Sequence, residues 1–478
     1  MRSSRPVRFS LVLALALGAA CSSDPKVIVT GQVLVYFDTD APVPARGEAG
    51  QTTPLFDRLR VDVFAPGSSS PCDGCSNDFE LDADLFRQRS VSVGLAAPVG
   101  VSGYRVRARM FKAAFADRTG VPDSDSSIDV TFALPAAEDG VVNERTVALP
   151  TNDVGHPVGA LTAPSDSVRG RPQASLVGTW SSARRIDCAA APPPGAVCVP
   201  GGAYWMGNPN SPGFVLASST GISAGTLDTR EPRLIVVSPF FLHATEVTVE
   251  QFRAASQVPA PAAKWSGSST GAGTGDWCTF TTAPGPHDKE PVTCLTIFEA
   301  RAYCTALGAD LPTEAQFEYV AGALEGRLFP WGQDAPSCTE AVFGRAGWGA
   351  LGSLIAPCRT ATPPGGATPP GTGTRDRVTL PGGTILDLGG NVSEWMLDLW
   401  NRIDEPCWQR AGIYDDPTCS SLSEHDGHLV VVRGGNWGET FRALEATSRR
   451  ARDPLSTNLD VGFRCAWPAA AAAAAAAR

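Results

Sequence analysis

The cysteines constrain this chain more than any other feature. Of 13, twelve follow Cys21, at positions 72, 75, 188, 198, 278, 294, 304, 338, 358, 407, 419 and 465. An even set in an exported chain reads as a disulfide framework. Cys72–Cys75, Cys188–Cys198, Cys338–Cys358 and Cys407–Cys419 are close in sequence, although spacing alone fixes no connection. Cys72-Asp73-Gly74-Cys75 also has the form of a redox pair or half a zinc site. No second CxxC completes a tetrad and no helical pattern follows it, which favours a structural clip. Five histidines leave little room for a multi-histidine metal site, and a net charge of −10 denies the chain the basic footprint of a nucleic-acid binder.

Export is read from the first 21 residues. Arg2, Arg5 and Arg8 precede an apolar stretch from Phe9 to Ala20, too short to span a bilayer as a mature helix. Leu17-Gly18-Ala19-Ala20-Cys21 resembles a bacterial lipoprotein box, with Gly18 where that box prefers leucine. Cleavage before Cys21 would leave a lipidated N-terminal cysteine, with the membrane as a partner through its acyl chains. Ser22 next to it points to the outer membrane of the cell envelope.

Residues 26–150 read as six strands between turns: Lys26–Thr39, Leu59–Ala65, Ser90–Ala96, Tyr104–Lys112, Ile128–Leu134 and Val141–Leu149. Arg105, Arg107 and Arg109 alternate with Val106, Ala108 and Met110, a period of two with one wet face. This pattern predicts an all-β sandwich. Residues 151–196, dominated by Pro, Ser, Ala and Gly, read as a linker or loose wrap. From 197 the pattern changes. Thr248-x-x-Gln251, Thr296-x-x-Glu299 and Thr313-x-x-Gln316 have capping-box form, and Gly308 sits where the second of these helices should stop. Long Gly/Pro loops lie at 256–290 and 345–384, and an Ala-rich tail covers 468–478.

A set of ordered blocks resembles the formylglycine-generating enzyme, or sulfatase-modifying factor, family. They are Val199-Pro200-Gly201-Gly202 to Met206-Gly207, Glu246-Val247-Thr248, Pro291-Val292 through Ala302-Tyr303-Cys304 to "LPTEAQFEYV", and Pro330-Trp331-Gly332. "DLGGNVSEWMLDLW" (387–400), Arg433-Gly434-Gly435-Asn436-Trp437 and Gly462-Phe463-Arg464-Cys465 complete the series. The resemblance covers 197–467 and implies an irregular α+β fold related to C-type lectins. It also implies a disulfide between Cys304 and Cys465. Active members hold Cu(I) between two cysteines five residues apart after this "RGG" block, and oxidise a substrate cysteine to formylglycine. Here those places fall on Glu439 and Leu444, and the family serine is Asn436. A soft ion needs thiolate or thioether ligands, so no copper is expected.

The family's "GN-x-x-EW" loop holds calcium through carbonyls and a glutamate, which makes Gly390, Asn391, Val392 and Glu394 candidate Ca²⁺ ligands. Trp395, whose family counterpart borders the active pocket, joins Asn436 and Glu439 as a pocket candidate. Trp205, Trp331 and Trp437 read as core. Gly221-Ile222-Ser223-Ala224-Gly225 spells a nucleophile elbow without the strand and helix that one requires. Glu424-His425-Asp426-Gly427-His428 reads as a solvated loop, and the iron-binding HxxxHxE stretch of sulfoxide-forming relatives is absent. The expected function is a lipid-anchored, non-catalytic recognition or structural module with an unidentified protein or glycan ligand. The alternative is an oxidase or hydroxylase of the same family acting on protein cysteine or another substrate.

Overall fold

A computed structural model describes residues 12–13, 30–45, 53–209, 231–261, 278–345, 357–358 and 366–470. The chain divides into two compact units, Met1–Ala183 and Arg184–Arg478. The expected leader at 1–20 lies outside the described residues except for a two-residue strand, and Cys21 lies outside them altogether.

The first unit is built from strands β1 (Val12–Leu13), β2 (Thr30–Asp38), β3 (Arg58–Phe64), β4 (Ser76–Glu80), β5 (Ser92–Pro98), β6 (Arg105–Phe111), β7 (Ile128–Ala133), β8 (Val142–Ala148) and β9 (Val168–Arg169). They form two sheets, in the orders β1-β5-β2-β8-β9 and β4-β3-β6-β7. One α-helix, α1 (Ala83–Arg87), is capped by the Asp82 side chain. On β6 the alternation holds: Val106, Ala108 and Met110 are wholly buried. The opposite face is less wet than its arginines suggest. Arg107 pairs with Asp129 and Arg109 with Asp62 (2.6 Å), so cross-strand carboxylates close over the guanidinium row. Residues 151–183 belong to this unit rather than to a linker. Val158 and Ser165 exchange backbone hydrogen bonds with Asp129, Thr131 and Ala133, and buried Trp180 donates its amide to Asp40 O. A loop poor in apolar residues stays ordered here because a strand edge receives its backbone.

The second unit carries β10 (Ala196–Val199), β11 (Gly202–Met206), β12 (Arg233–Val237), β13 (Phe240–His243), α2 (Val249–Ala254), α3 (Ile297–Ala306) and α4 (Glu314–Ala321). After them come β14 (Arg377–Leu380), β15 (Gly383–Leu386), β16 (Ser393–Leu399), β17 (Ile413–Asp415), β18 (Val430–Arg433), β19 (Arg449–Arg452), β20 (Val461–Gly462) and β21 (Ala466–Pro468). Four small sheets result: β10-β13-β21, β11-β12-β17, β14-β15 and β19-β18-β16-β20. All three helices start at the expected capping boxes, with the Thr hydroxyl accepting the N3 amide and the Gln or Glu side chain accepting the Thr amide. Gly308 follows α3 at φ 72°, the left-handed conformation that stops a helix. Phe317 and Val320 of α4 pack with Tyr204, Ile235, Phe240 and Val431, whereas Ala300 and Tyr303 of α3 pack with Phe252, Trp395 and Phe463.

Six disulfides join all twelve cysteines. Cys72–Cys75 closes the turn between β3 and β4, and the others are Cys188–Cys198, Cys278–Cys294, Cys304–Cys465, Cys338–Cys358 and Cys407–Cys419. Cys304–Cys465 links α3 to the segment between β20 and β21, as the resemblance implies.

Candidate functional site

The "RGG" turn leaves β18 with Arg433 wholly buried, its Nη2 donating to Glu318 Oε2 at 2.6 Å and lying 3.1 Å from Glu314 Oε1. Gly434 takes φ 72° and Gly435 donates to Gly389 O (2.7 Å), so this turn is laced to the "GGN" loop. A Cβ on Gly390 would stand 2.6 Å from Val342 O, which is why that loop needs glycine there.

Asn436 donates from Nδ2 to Ser393 Oγ (3.2 Å) and Asp460 Oδ2 (3.0 Å), while its Oδ1 accepts from Gly438 N. Three residues on, the Glu439 side chain is 10% exposed and forms an ion pair with Arg450 Nη1. Arg450 Nη2 donates to Ser393 Oγ (2.6 Å) and to Gly434 O. Glu439 Oε2 is buried without a partner. Leu444, closing the short 3₁₀ turn Phe441–Leu444, faces elsewhere. It is buried among Phe329, Ala341, Phe343 and Cys358. The two positions at which the family places copper ligands thus look into different surroundings, one charged and one apolar.

The calcium candidates are corrected at Glu394. Its carboxylate accepts from Arg464 Nε (Oε2, 2.7 Å) and Nη2 (Oε1, 2.7 Å), and both residues are wholly buried. Asn391, at φ 67°, gives its amide to Glu246 Oε1 (3.1 Å) and Thr368 O and accepts Thr368 N, so its side chain is also spent. Among the described residues no group of three His, Cys, Asp or Glu side chains is placed to hold a metal ion. Carboxyl groups are nonetheless left over. Glu246, Asp376, Asp387 and Glu394 are all buried and act electrostatically on Arg464 or on one another. Burial pushes the Asp387 carboxyl up to about 8 and Asp376 up to about 6, and drives Glu246 well above the carboxylate range. Glu246 Oε2 and Asp387 Oδ1 have no hydrogen-bond partner.

Trp395 also departs from expectation. It is wholly buried in the α3 core and donates Nε1–H to Leu295 O (3.1 Å). Trp437 is likewise core, and Trp331 stacks on Phe329 at 5.0 Å. The Glu424–His428 loop holds His425 against Glu405 Oε1 (2.9 Å). Gly221–Gly225 lies outside the described residues. Sequence reasoning missed Arg450, Asp460, Glu246, Asp376 and the Arg464 pairing. Arg464 carried one usable signal: an arginine between an aromatic residue and a disulfide cysteine, once buried, has to find a carboxylate.

Residues 183–469, more than half of the chain, match the profile of the sulfatase-modifying factor enzyme 1-like domain. Hercynine oxygenase of Mycolicibacterium smegmatis is 30% identical over 187 residues, 37% of each chain. The inactive C-alpha-formylglycine-generating enzyme 2 of Bos taurus is 28% identical over 194 residues, 38% of this chain and 53% of that one. The chain therefore spans between about a third and a half of these relatives. Among solved structures, PvdO of Pseudomonas aeruginosa aligns with 57% of this chain and 94% of its own at 18% identity and TM-score 0.37.

Proposed function

The chain belongs to the sulfatase-modifying factor enzyme 1-like family, and from that premise we propose that this member is a non-catalytic recognition or structural module of the cell envelope. One observation carries the reading. Where the family's copper chemistry needs two thiolates facing one ion, Glu439 is tied to Arg450 and Leu444 is sealed in an apolar cluster. A carboxylate and an alkyl group are not ligands for a soft metal, and the remaining twelve cysteines are in disulfides. The relatives include a protein named as an inactive formylglycine-generating enzyme, so loss of activity on this scaffold has a precedent.

In this reading Cys21 bears the lipid anchor, and the two sheets of the first unit form a sandwich. The unpartnered carboxyl oxygens beside Arg464, once deprotonated, suit a hard cation. We place Ca²⁺ there with Glu246 and Asp387 as its carboxylate donors in place of Glu394. The test of the central reading is a Cu(I) titration of the full mature chain, combined with an oxidation assay on a cysteine-containing sulfatase peptide. No stoichiometric copper and no oxidised peptide is the expected result. Tight Cu(I) binding with formylglycine formation would establish the oxidase alternative. Cys21→Ser should release the protein from the membrane fraction, and retention after a high-salt wash would refute the anchor.

A further inference from the structure

The two sheets of the first unit end in β9, β4, β7 and, apart from the leader strand β1, β5. An open sheet edge presents a row of unpaired N–H and C=O groups, which proteins blunt by cover, charge or shortness. Three of these edges are blunted. β7 is covered by Val158 and Ser165, which exchange backbone hydrogen bonds with Asp129, Thr131 and Ala133. β4 carries the exposed side chains of Asp78 and Glu80. β9 has two residues, one of them Arg169.

β5 is different. Ser92-Val93-Gly94-Leu95-Ala96-Ala97-Pro98 runs for seven residues without a charge. The Phe37 N–H bonds Val91 O, so Val91, Val93, Leu95 and Ala97 are the residues that exchange hydrogen bonds with β2. The N–H and C=O groups of Ser92, Gly94 and Ala96 therefore point away from β2, along the outer edge. Pro98 has the same parity and lacks an N–H where one would point outward, the place at which a sheet edge tolerates proline. The two sheets are also not sealed to one another on this side. Val93, Gly94 and Leu95 line a cavity together with Val61, Val63 and Phe79 of the opposite sheet. Among the described residues the outer edge of β5 is met by the leader alone, Val12 and Leu13 lying parallel to Gly94 and Leu95. The leader from Phe9 to Ala20 is uncharged as well. The chain thus displays the kind of strand this edge takes: extended, apolar, uncharged and parallel to β5. Cleavage before Cys21 removes that strand.

We propose that the outer edge of β5 is a strand-addition site, at which the mature protein takes an extended, uncharged apolar segment of another envelope protein parallel to β5. Main-chain hydrogen bonds to Ser92, Gly94 and Ala96 supply the attachment. The site rests on the proposed cleavage before Cys21 and on nothing in the second unit. A synthetic peptide of leader residues 10–16, Ser-Leu-Val-Leu-Ala-Leu-Ala, carrying three lysines at its C-terminus for solubility, is the probe. It is added to the full mature chain in detergent, after the mass of the N-terminal peptide has been read. Residue-resolved hydrogen exchange should show new protection at the amides of Ser92, Gly94 and Ala96, in a one-to-one, saturable manner. Partition of the peptide into micelles leaves those amides as they were. Ala96→Pro removes one outward N–H and no bond to β2, so it should fold and weaken the peptide by about tenfold. N-methylation of the peptide at alternate residues should abolish protection in one phase and spare it in the other, without any change to the protein. No new protection, or protection that Ala96→Pro and both methylated peptides leave unchanged, overturns the site. A dimer of the mature chain that Ala96→Pro dissociates would make a second copy the occupant and overturn the assignment to another protein. A mass that retains residues 1–20 would show the edge closed by the leader, refuting the cleavage and the site together, whereas failure of the peptide on a cleaved chain refutes the site alone.

Discussion

In the first unit β2 runs against β5 over seven residue pairs and against β8 over seven more, and β3 pairs with β6 over another seven. In the second the longest ladder, β11 with β12, has five pairs, and several strands are two or three residues long. The cross-links are distributed the other way. One disulfide, spanning three residues, serves the first unit, and five serve the second. Both units mix exposed and buried ion pairs, Arg87–Asp84 and Arg109–Asp62 in the first and Arg327–Glu325 and Arg464–Glu394 in the second, but the wholly buried Arg464–Glu394 and Arg433–Glu314 belong to the second. Continuous ladders let a unit stand on backbone hydrogen bonds and a regular core. A fold of short pieces and Gly/Pro loops is held by covalent links and by buried charges that have one solution each.

The sharpest way to break that contrast is reduction. In the chain-entropy view a loop of 161 residues, the span of Cys304–Cys465, is worth about 5 kcal/mol, and the three-residue Cys72–Cys75 loop about 1.5 kcal/mol. Thiol reductant under native conditions should therefore unfold the second unit and leave the first folded, as read by limited proteolysis and by two resolved thermal transitions. Cys304→Ser/Cys465→Ser alone should lower the second transition by more than Cys72→Ser/Cys75→Ser lowers the first. Equal sensitivity of the two units would remove the distinction.

Next in size is the loss of one buried charge. Glu394→Ala leaves Arg464 buried without its carboxylate and should cost about 3–5 kcal/mol. Asp84→Ala, which removes the half-exposed Arg87 contact, should cost no more than about 0.5 kcal/mol in pairing. Denaturant midpoints of the two variants measure both. A cost below about 1 kcal/mol for Glu394→Ala would show that the Arg464 pair is not a fixed point of the fold.

The same contrast explains what could be read in advance. Capping boxes, the Gly308 stop and the β6 alternation are local, so they stand in the sequence. The Cys304–Cys465 link came only through the family blocks, because no spacing argument reaches across 161 residues. Strand β4, Ser-Asn-Asp-Phe-Glu, was passed over because its residues are polar and its pairing with β3 is fixed by the turn that Cys72–Cys75 closes. The family's GN-x-x-EW loop points Glu394 to calcium, and the Arg464 partner, 70 residues away, is not legible beside it. The burial of Trp395 is a related point: a family position carries over its place in the chain, while exposure depends on the side chains around it.

A smaller effect comes from pH. Asp398 is wholly buried, accepting Glu314 N (2.7 Å) and Cys419 N (2.7 Å). Burial, with Glu314 nearby, raises its carboxyl from 3.8 to about 7. The folded state thus binds a proton that the unfolded state releases. The associated stability is complete below pH 3.8 and is lost as pH rises through about 7, at up to about 1.4 kcal/mol per pH unit within that window. The second unit should therefore be easier to unfold at pH 7.5 than at pH 5.5. Asp398→Asn should flatten that slope, while lowering stability overall because its amide must face one of the two N–H donors. A slope unchanged in Asp398→Asn would assign the pH dependence to other groups.

The smallest effect tests the cation. If Glu246 Oε2 and Asp387 Oδ1 complete an oxygen site beside Arg464, Ca²⁺ binds the folded second unit and not the unfolded chain. The stabilisation then grows with the logarithm of its concentration. With the affinity of an extracellular module, a few millimolar calcium is worth about 1–1.5 kcal/mol. The ion has to displace protons from Asp387, whose carboxyl burial holds near 8, and from Glu246, which burial holds well above the carboxylate range, so the gain is smaller in acid. Asp387→Asn removes a donor charge and should erase the response. Glu394→Gln keeps an oxygen, but it should reduce stability through Arg464 and leave the calcium increment in place, since Glu394 is spent on the guanidinium. Thermal unfolding of wild type and both variants in chelator and in millimolar calcium separates these roles. A response that survives Asp387→Asn and disappears in Glu394→Gln would return the ion to Glu394. The same Tm for wild type in both conditions would mean that protons alone neutralise the excess carboxylates.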